Sequence, residues 1–255
     1  MRSIDLNCDM GESFGAWRMG ADAAVMPWIT SANIACGFHA GDPLTMLATV
    51  RAAAEAGVAI GAHVGLPDLV GFGRRALAVT PAELYAMTVV QLGALIAMAR
   101  TAGSSVGHLK PHGALYHMLE QEPALAQAVV DAIRDVDATV RLVGLAGGVL
   151  VRAGEAAGLA IAHEAFADRR YRMDGHLVPR GQPGAVIEDI DAAVGQAVAL
   201  AVDGLVTCVD GATIRVHADT VCVHGDRPDA AAFAQALHEG LRAAGVALHC
   251  CGADA

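Results

Sequence analysis

The unit that decides the fold is seen most clearly in one stretch of the chain, His108-Leu109-Lys110-Pro111-His112-Gly113-Ala114-Leu115-Tyr116. A short apolar run of strand length ends here among several titratable side chains. The same order recurs along the sequence: an apolar run, a polar cluster and then a longer alanine-rich stretch of helical length. This alternation is typical of βαβ units around a parallel sheet, so the sequence predicts an α/β fold.

Seven runs have the length and composition of strands, namely residues 3–8, 31–36, 58–62, 106–110, 141–145, 159–163 and 220–224. Seven is close to the strand count of a parallel barrel. Helix starts are marked by a proline beside a capping residue, at Asp42-Pro43, Thr80-Pro81-Ala82-Glu83 and Arg227-Pro228-Asp229. These helices are predicted to end near Gly57, Gly103 and Gly245.

Composition indicates one domain. The 255 residues are 55% hydrophobic and 17% charged, which is enough to bury a large core. No linker, low-complexity segment or repeat divides the chain, so we expect a single domain over residues 1–255. The formal charge of −10, with no basic cluster longer than residues 169–172, disfavours nucleic acid as a partner.

Three features favour a cytoplasmic protein without membrane contact. Asp5 and Asp9 lie where a secretory signal would need its apolar stretch. The most apolar segment, residues 86–99, is too short to span a bilayer. Six cysteines without close metal-type pairing suit a reducing compartment.

Lys110 is the only lysine, whereas all other members of the 17 basic residues are arginines. A desolvated lysine can lose its proton, which arginine cannot do. Lys110 and His112 also flank a proline that stiffens the backbone, so they are candidates to stabilise an oxyanion or to shuttle a proton. The alternative is a lysine that simply caps a strand.

Polar side chains are concentrated directly after the predicted strands. The loops after parallel strands gather on one face of a barrel or open sheet and build the site. The residues expected there are Asn7, Asp9, Glu12, His39, His63, Lys110, His112, Glu164, His224 and Asp226. Neighbouring carboxylates such as Asp9 and Glu12 can divide general acid and base work, although such residues also cap helices.

A metal site is one interpretation of this set. Asp9, His39 and His63 supply one carboxylate and two imidazoles from three neighbouring strand ends, which suits a divalent metal with open positions. Their spacing is not a local metal motif. Histidines that only hydrogen-bond within a polar site therefore remain the alternative.

Two arginine-containing loops are candidates for anion binding. Arg74 and Arg75 end a glycine-rich loop, and Arg169 belongs to a second loop. Guanidinium groups bind carboxylates and phosphates, although surface arginines often pair with acidic side chains instead. The sequence has no P-loop, G-x-G-x-x-G, G-x-S-x-G or H-E-x-x-H motif, so a nucleotide would be bound in another way or by another chain.

Five stretches of the chain together resemble the LamB/YcsF family of 5-oxoprolinase A subunits. They are residues 5–12 (DLNCDMGE), 31–43 (SANIACGFHAGDP), 67–75 (PDLVGFGRR), 110–116 (KPHGALY) and 223–226 (VHGD). The matches are long and run almost from end to end, so chance is a poor explanation. The resemblance implies an irregular seven-stranded (β/α) barrel of the glycoside hydrolase/deacetylase type, in agreement with the strand count.

The resemblance also implies an activity. Its members form part of an ATP-dependent 5-oxoprolinase, which hydrolyses the lactam of 5-oxo-L-proline to L-glutamate while ATP, with Mg²⁺, is hydrolysed to ADP and phosphate. The implied partners are 5-oxoprolinase subunits B and C and the small lactam substrate. Proteins of the wider superfamily often hold a metal with one Asp and two His.

On this basis we assign hypothetical roles. Lys110 and the arginines would neutralise phosphate and carboxylate, Asp9 or Glu12 would activate water, and His112 would protonate the leaving nitrogen. Substrate contacts are expected from Asn7, His39, His63, Arg74, Arg75, Glu164, Arg169, His224 and Asp226. The alternatives are a stand-alone metal-dependent deacetylase or amidase and a noncatalytic lactam-binding component.

Overall fold

The computed structural model describes residues 2–179, 181–223, 225 and 229–251. The strands are β1 (Ser3–Met10), β2 (Ser31–Ala35), β3 (Ala59–Val64), β4 (Val106–Pro111), β5 (Arg141–Leu145), β6 (Ile161–Phe166), β7 (Leu205–Thr207), β8 (Thr213–Arg215), β9 (Thr220–Val223) and β10 (Ala247–Leu248). The helices are α1 (Asp22–Val25), α2 (Pro43–Ala56), α3 (Pro81–Thr101), α4 (Gly113–Leu119), α5 (Pro123–Asp137), α6 (Val149–Ala156), α7 (Ile190–Asp203) and α8 (Ala230–Ala243), with a 3-10 turn at Met26–Trp28.

Seven parallel strands close into a barrel. Their order is β1, β2, β3, β4, β5, β6 and β9, and the barrel closes because β9 pairs with both β6 and β1. The predicted seven-stranded barrel is therefore confirmed. β10 pairs with the first residues of β1, and β7 and β8 form a separate antiparallel pair. Since all barrel strands run in one direction, their carboxyl ends share one rim.

Two strands extend beyond the predicted ends. β3 continues to Val64, and β6 continues to Phe166 because Phe166 still pairs with Cys222 of β9. Glu164, which was predicted to follow the sixth strand, therefore lies inside β6. Alternate residues of a strand face opposite sides, so fully buried Glu164 points into the barrel while half-buried His163 faces outward.

The predicted helix starts are confirmed where the structure describes them. The Asp42 carboxylate accepts hydrogen bonds from the Leu44 and Thr45 N–H groups at the start of α2. The capping box of α3 is formed in both directions, between Thr80 and Glu83. The predicted start of the last helix at Arg227-Pro228 lies outside the described residues, and α8 is described from Ala230.

The inside of the barrel is polar, and the apolar core lies mainly between the strands and the surrounding helices. Fully apolar side chains such as Leu92, Val129 and Phe233 belong to that outer core. The buried polar side chains on barrel strands are Asp5, Asn7, Ser31, Asn33, His63, His108, Lys110, Glu164 and Thr220. Most eight-stranded barrels fill this space with branched apolar residues. A polar interior needs matched hydrogen bonds, and that requirement shapes the site.

By length and composition, α3 is the one helix within the described part of the chain that could cross a membrane. A core helix of a globular protein passes the same criterion. α3 packs against α5 and β3, and the amide of its buried Gln91 bonds both backbone groups of Gly65. The cytoplasmic location stays a prediction.

We predict that Asp42→Ala lowers the free energy of unfolding by about 1 kcal/mol, because it removes the cap of α2. The cap and the Gly15 N–H hold the pKa of Asp42 down at about 2. A group with a lowered pKa stabilises the fold above its unfolded pKa of about 4, so this contribution should fade as the pH falls from about 4 to about 2. Urea unfolding at pH 7 and pH 3 measures it. Glu55→Ala, at an exposed position of the same helix, is the control and should shift stability by less than about 0.5 kcal/mol.

Candidate active site

A buried lysine lies at the centre of the barrel interior. β4 places the Lys110 ammonium 2.7 Å from Glu164 Oε1 and 3.0 Å from Asp9 Oδ1, and only 3% of the lysine side chain is exposed. Its Nζ also lies 3.2 Å from Asn7 Oδ1 and 3.1 Å from Cys222 Sγ. These contacts join β1, β4, β6 and β9 across the barrel.

The surroundings of Lys110 fix its charge. Burial alone would lower the pKa of Lys110, but the carboxylates of Asp9 and Glu164 raise it well above its ordinary value. Lys110 is therefore a protonated cation. The interpretation that this lysine loses its proton is wrong, because desolvation is outweighed by two carboxylates within 3.0 Å.

Two asparagines and a histidine hold this ion pair in place. Asn33 Nδ2 donates to Asn7 Oδ1 at 2.7 Å and to Asp9 Oδ1 at 2.9 Å. Burial lowers the pKa of His108 to about 3, so its neutral ring donates from Nε2 to Asn33 Oδ1 at 2.7 Å. A Cβ on Gly61 would overlap the His108 ring, so glycine is needed there.

Three histidines and a carboxylate converge beside the lysine. Glu12, His39, His63 and His112 are all buried, and each offers one ligand atom within 4.8 Å of the others. This set differs from the predicted Asp9, His39 and His63. Asp9 Oδ2 does lie 3.3 Å from His63 Nε2, but its other oxygen is bound to Lys110. The cluster has the residue types and spacing of a divalent metal site.

Backbone carbonyls determine which ring nitrogens of this cluster carry hydrogen. His63 Nδ1 lies 3.0 Å from the Lys110 carbonyl, and His112 Nε2 lies 2.8 Å from the Phe72 carbonyl. A carbonyl only accepts, so both of these nitrogens donate. In neutral rings the other two nitrogens, His63 Nε2 and His112 Nδ1, then face each other with lone pairs at 3.0 Å.

Burial and the neighbouring His63 lower the pKa of His112 to about 3. His112 is therefore neutral, and its N–H is committed to Phe72. The predicted role of His112 in protonating a leaving nitrogen does not fit this state. Burial followed by the His112 and His63 charges also lowers the pKa of His39 well below its ordinary value.

The loop after β3 closes over the histidines. Phe72 has a left-handed φ of +54°, which is strained for a non-glycine residue, and its ring packs against His39 and His112. Cβ atoms added at Gly65 and Gly73 would collide with the His39 ring and with the side chains of His39 and His112, respectively. The histidine rings can approach each other because these two positions are glycine.

A cavity of about 710 Å³ opens from this cluster. Asp9, His63, Lys110 and His112 form its inner wall. Tyr116, Leu145, Phe166, Arg169, Arg172 and Leu177 are among the residues of the facing wall. The volume is typical of small-molecule sites, and the combination of apolar walls with a few charged groups is also typical.

The structure distributes the predicted anion-binding arginines differently. Arg74 lines the cavity, with its guanidinium carbon 5.0 Å from the centre of the Phe72 ring. Arg169 also lines it and donates from Nη2 to the Val178 carbonyl at 2.7 Å. Arg75 is exposed, bonds Asp68 through Nε and Nη2, and is not among the described residues that line the cavity.

The predicted site residues that converge are Asn7, Asp9, Glu12, His39, His63, Lys110, His112 and Glu164. His224 and Asp226 lie outside the described residues. Asn33, His108 and Cys222 were missed because they lie within strands. The signal that could have found Asn7 and Lys110 together with such neighbours is alternation, since positions 5, 7 and 9 of β1 and positions 108 and 110 of β4 each share one face.

Comparisons with known proteins give consistent results. The model of the LamB/YcsF family matches residues 4–253. The chain is 54% identical over 246 residues to the 5-oxoprolinase A subunit of Bordetella pertussis, a match that covers 96% of this chain and 98% of that protein. A lactam utilization protein from Thermus thermophilus has a crystal structure that superposes with a TM-score of 0.93 at 43% identity, over 97% of this chain and 99% of that one.

A more distant structure indicates the fold alone. A family 4 carbohydrate esterase from Streptomyces lividans superposes with a TM-score of 0.50 at 10% identity, over 97% of this chain and 91% of that one. The predicted barrel type is therefore confirmed.

We predict that Lys110→Met destabilises the fold by about 3 kcal/mol, because it leaves Asp9 and Glu164 buried without their cation. Adding Glu164→Gln should recover part of this loss, since the second carboxylate then no longer needs a countercharge. Urea unfolding of the wild type, both single variants and the double variant measures the coupling. Strictly additive effects would contradict the ion-pair description.

Proposed function

The chain belongs to the LamB/YcsF family, and from this premise we propose that it is the A component of a 5-oxoprolinase. The reaction opens the lactam of 5-oxo-L-proline to L-glutamate, coupled to the hydrolysis of ATP, with Mg²⁺, to ADP and phosphate. The observation that carries the proposal is the end-to-end identity with proteins named as 5-oxoprolinase A subunits. The cavity with its buried ion pair supplies a site for such a reaction.

The chemistry explains why ATP is needed. An unstrained five-membered lactam resists hydrolysis, and phosphorylation of its amide oxygen produces a far better electrophile for water. The chain has no recognisable nucleotide-binding loop, so we assign phosphorylation, or its completion, to the partner subunits B and C. The barrel would then hold the activated lactam and guide ring opening.

Lys110 is the proposed electrostatic catalyst. Its three N–H groups are already directed at Glu164, Asp9 and the neighbouring Asn7 and Cys222. It therefore acts through its fixed positive charge at the inner wall, which favours negative charge on the substrate oxygen or phosphate. A preorganised charge needs no rearrangement as the reaction proceeds.

Asp9 is the proposed proton carrier. It lines the cavity with 14% of its side chain exposed, whereas Glu12 is 5% exposed and contacts His39 and His112. Asp9 would take a proton from the attacking water and return it to the ring nitrogen as the C–N bond breaks. The water oxygen stays on the carbonyl carbon, so the product is the open-chain carboxylate.

Binding of the substrate carboxylate is assigned to the arginines that line the cavity. Arg74 lies near the histidines, and Arg169 lies on the facing wall. Tyr116 and Phe166, whose ring centres are 6.0 Å apart, form the apolar surface for the ring carbons. The substrate would thus be held between an anion-binding end and an apolar wall.

A second candidate function is a metal-dependent amide hydrolase that works without ATP. The specific observation in its favour is the cluster of Glu12, His39, His63 and His112. Chelators would abolish its activity, and added partner subunits or ATP would not increase it.

We predict that 5-oxoproline turnover requires ATP and both partner subunits, and that Lys110→Met lowers kcat about 100-fold or more. Circular dichroism should first confirm that the variant folds. Arg51→Ala, on the exposed face of α2, is the control and should be unaffected. Near-normal turnover by Lys110→Met would remove Lys110 from the mechanism, and turnover without ATP would favour the second candidate.

We predict that Arg74→Ala raises KM for 5-oxoproline about tenfold, as expected for one lost charge-assisted hydrogen bond. Arg75→Ala should have a smaller effect, because Arg75 points to solvent and binds Asp68. Steady-state kinetics of both variants in the reconstituted enzyme test this. Equal effects would show that the two arginines act together.

A further inference from the structure

We propose that Glu12, His39, His63 and His112 bind one divalent transition-metal ion, such as Zn²⁺ or Co²⁺, at the inner end of the cavity. The four side chains come from the segments that follow β1 and β2, from β3, and from the end of β4. Asp9 is excluded from the ligand set. Metal binding to this site does not depend on the proposed reaction.

Two of the histidines direct lone pairs at each other. The N–H groups of His63 and His112 are bound to backbone carbonyls, so their unprotonated nitrogens face each other at 3.0 Å. Two lone pairs at that distance repel. A positive charge must lie beside them, either as a proton on His63 or as a metal ion.

A proton on His63 would satisfy that pair, because Asp9 Oδ2 lies 3.3 Å away as a second acceptor. It would not account for His39. Both ring nitrogens of this buried histidine lack a hydrogen-bond partner among the described residues. His39 Nε2 lies 3.8 Å from Glu12 Oε1, and the same oxygen lies 3.7 Å from His112 Nδ1. A single cation among these atoms accounts for all four groups.

The ligand atoms also have the spacing of a tetrahedral site. Zinc bonds to nitrogen and oxygen are about 2.0–2.1 Å long, so adjacent ligand atoms of such a site are about 3.4 Å apart. The observed separations of 3.0, 3.7 and 3.8 Å lie on both sides of that value. Little movement is needed to bind an ion. Three imidazoles and one carboxylate favour zinc or cobalt over magnesium or calcium.

The groups around the ligands hold the rings in orientations that suit a metal. A metal-bound histidine usually donates its other N–H to a carbonyl or carboxylate, and His63 and His112 both do so. The strained φ of Phe72 directs one of these carbonyls. Glycine at positions 65 and 73 leaves the space that the His39 and His112 rings occupy.

Asp9 is assigned to the lysine. Its Oδ1 accepts from Lys110 at 3.0 Å and from Asn33 at 2.9 Å. The carboxylate therefore lies between two positive centres, the ammonium and the proposed ion. When bound, the ion would supply a Lewis acid that polarises a substrate oxygen or acidifies a water molecule.

The test is metal binding by the isolated chain, without ATP or partners, so it stands apart from the proposed reaction. A second cluster, His163, His217 and Asp219, also has metal-ligand spacing and is partly exposed. His163→Ala/His217→Ala therefore serves as the background in which only the inner site can bind. Metal-free protein is titrated with Co²⁺ by visible absorption, and Zn²⁺ competition is followed by calorimetry.

We expect one equivalent of Co²⁺ with the intense absorption of a four-coordinate site. His39→Ala and Glu12→Gln should each weaken binding by at least about 100-fold, whereas Asp9→Asn should change affinity by less than about tenfold. No bound equivalent in the background protein would overturn the proposal. Loss of binding in Asp9→Asn with retention in Glu12→Gln would overturn the ligand set. If a variant does not fold, the stoichiometry and spectrum of the background protein still decide whether the site exists.

Discussion

The ammonium group of Lys110, held between the carboxylates of Asp9 and Glu164, is the interaction on which the rest of the site depends. A charge taken out of water must be paired and fully hydrogen-bonded, or the fold loses several kcal/mol. This requirement brings β1, β4 and β6 to fixed positions around the barrel interior. The amides of Asn7 and Asn33 complete the bonding that the ion pair demands.

The polar interior has a consequence for how the molecule divides its work. Stability comes mainly from apolar packing between the outer faces of the strands and the helices, where Leu92, Val129 and Phe233 are buried. The inner faces of the strands are thereby available for charged and hydrogen-bonding groups. The cavity begins where this buried network reaches the rim, so the groups that line it are held rigidly from below.

Much of the fold follows from local physics and was predictable. The strand-length runs and the capping residues Asp42 and Thr80 specify backbone hydrogen bonding within a few residues, and the structure has strands and helices there. Directional closure of the barrel also makes the strand ends converge, which is why Asp9, His39, His63 and Lys110 were expected together. Strand ends were less predictable, because the length of β6 depends on its pairing with β9 rather than on its own sequence.

The sequence by itself determined the alternation of strands and helices, the helix caps and the family, because these depend on short-range pattern and on matching stretches of residues. Only the tertiary structure decided the ionisation of Lys110, the lone-pair directions of His63 and His112, and the division between Arg74 and Arg75. Each of these depends on groups that are distant in the chain and within a few ångströms in space. A carboxylate at 3.0 Å reverses the effect of burial on a lysine, and no pattern along the chain carries that distance.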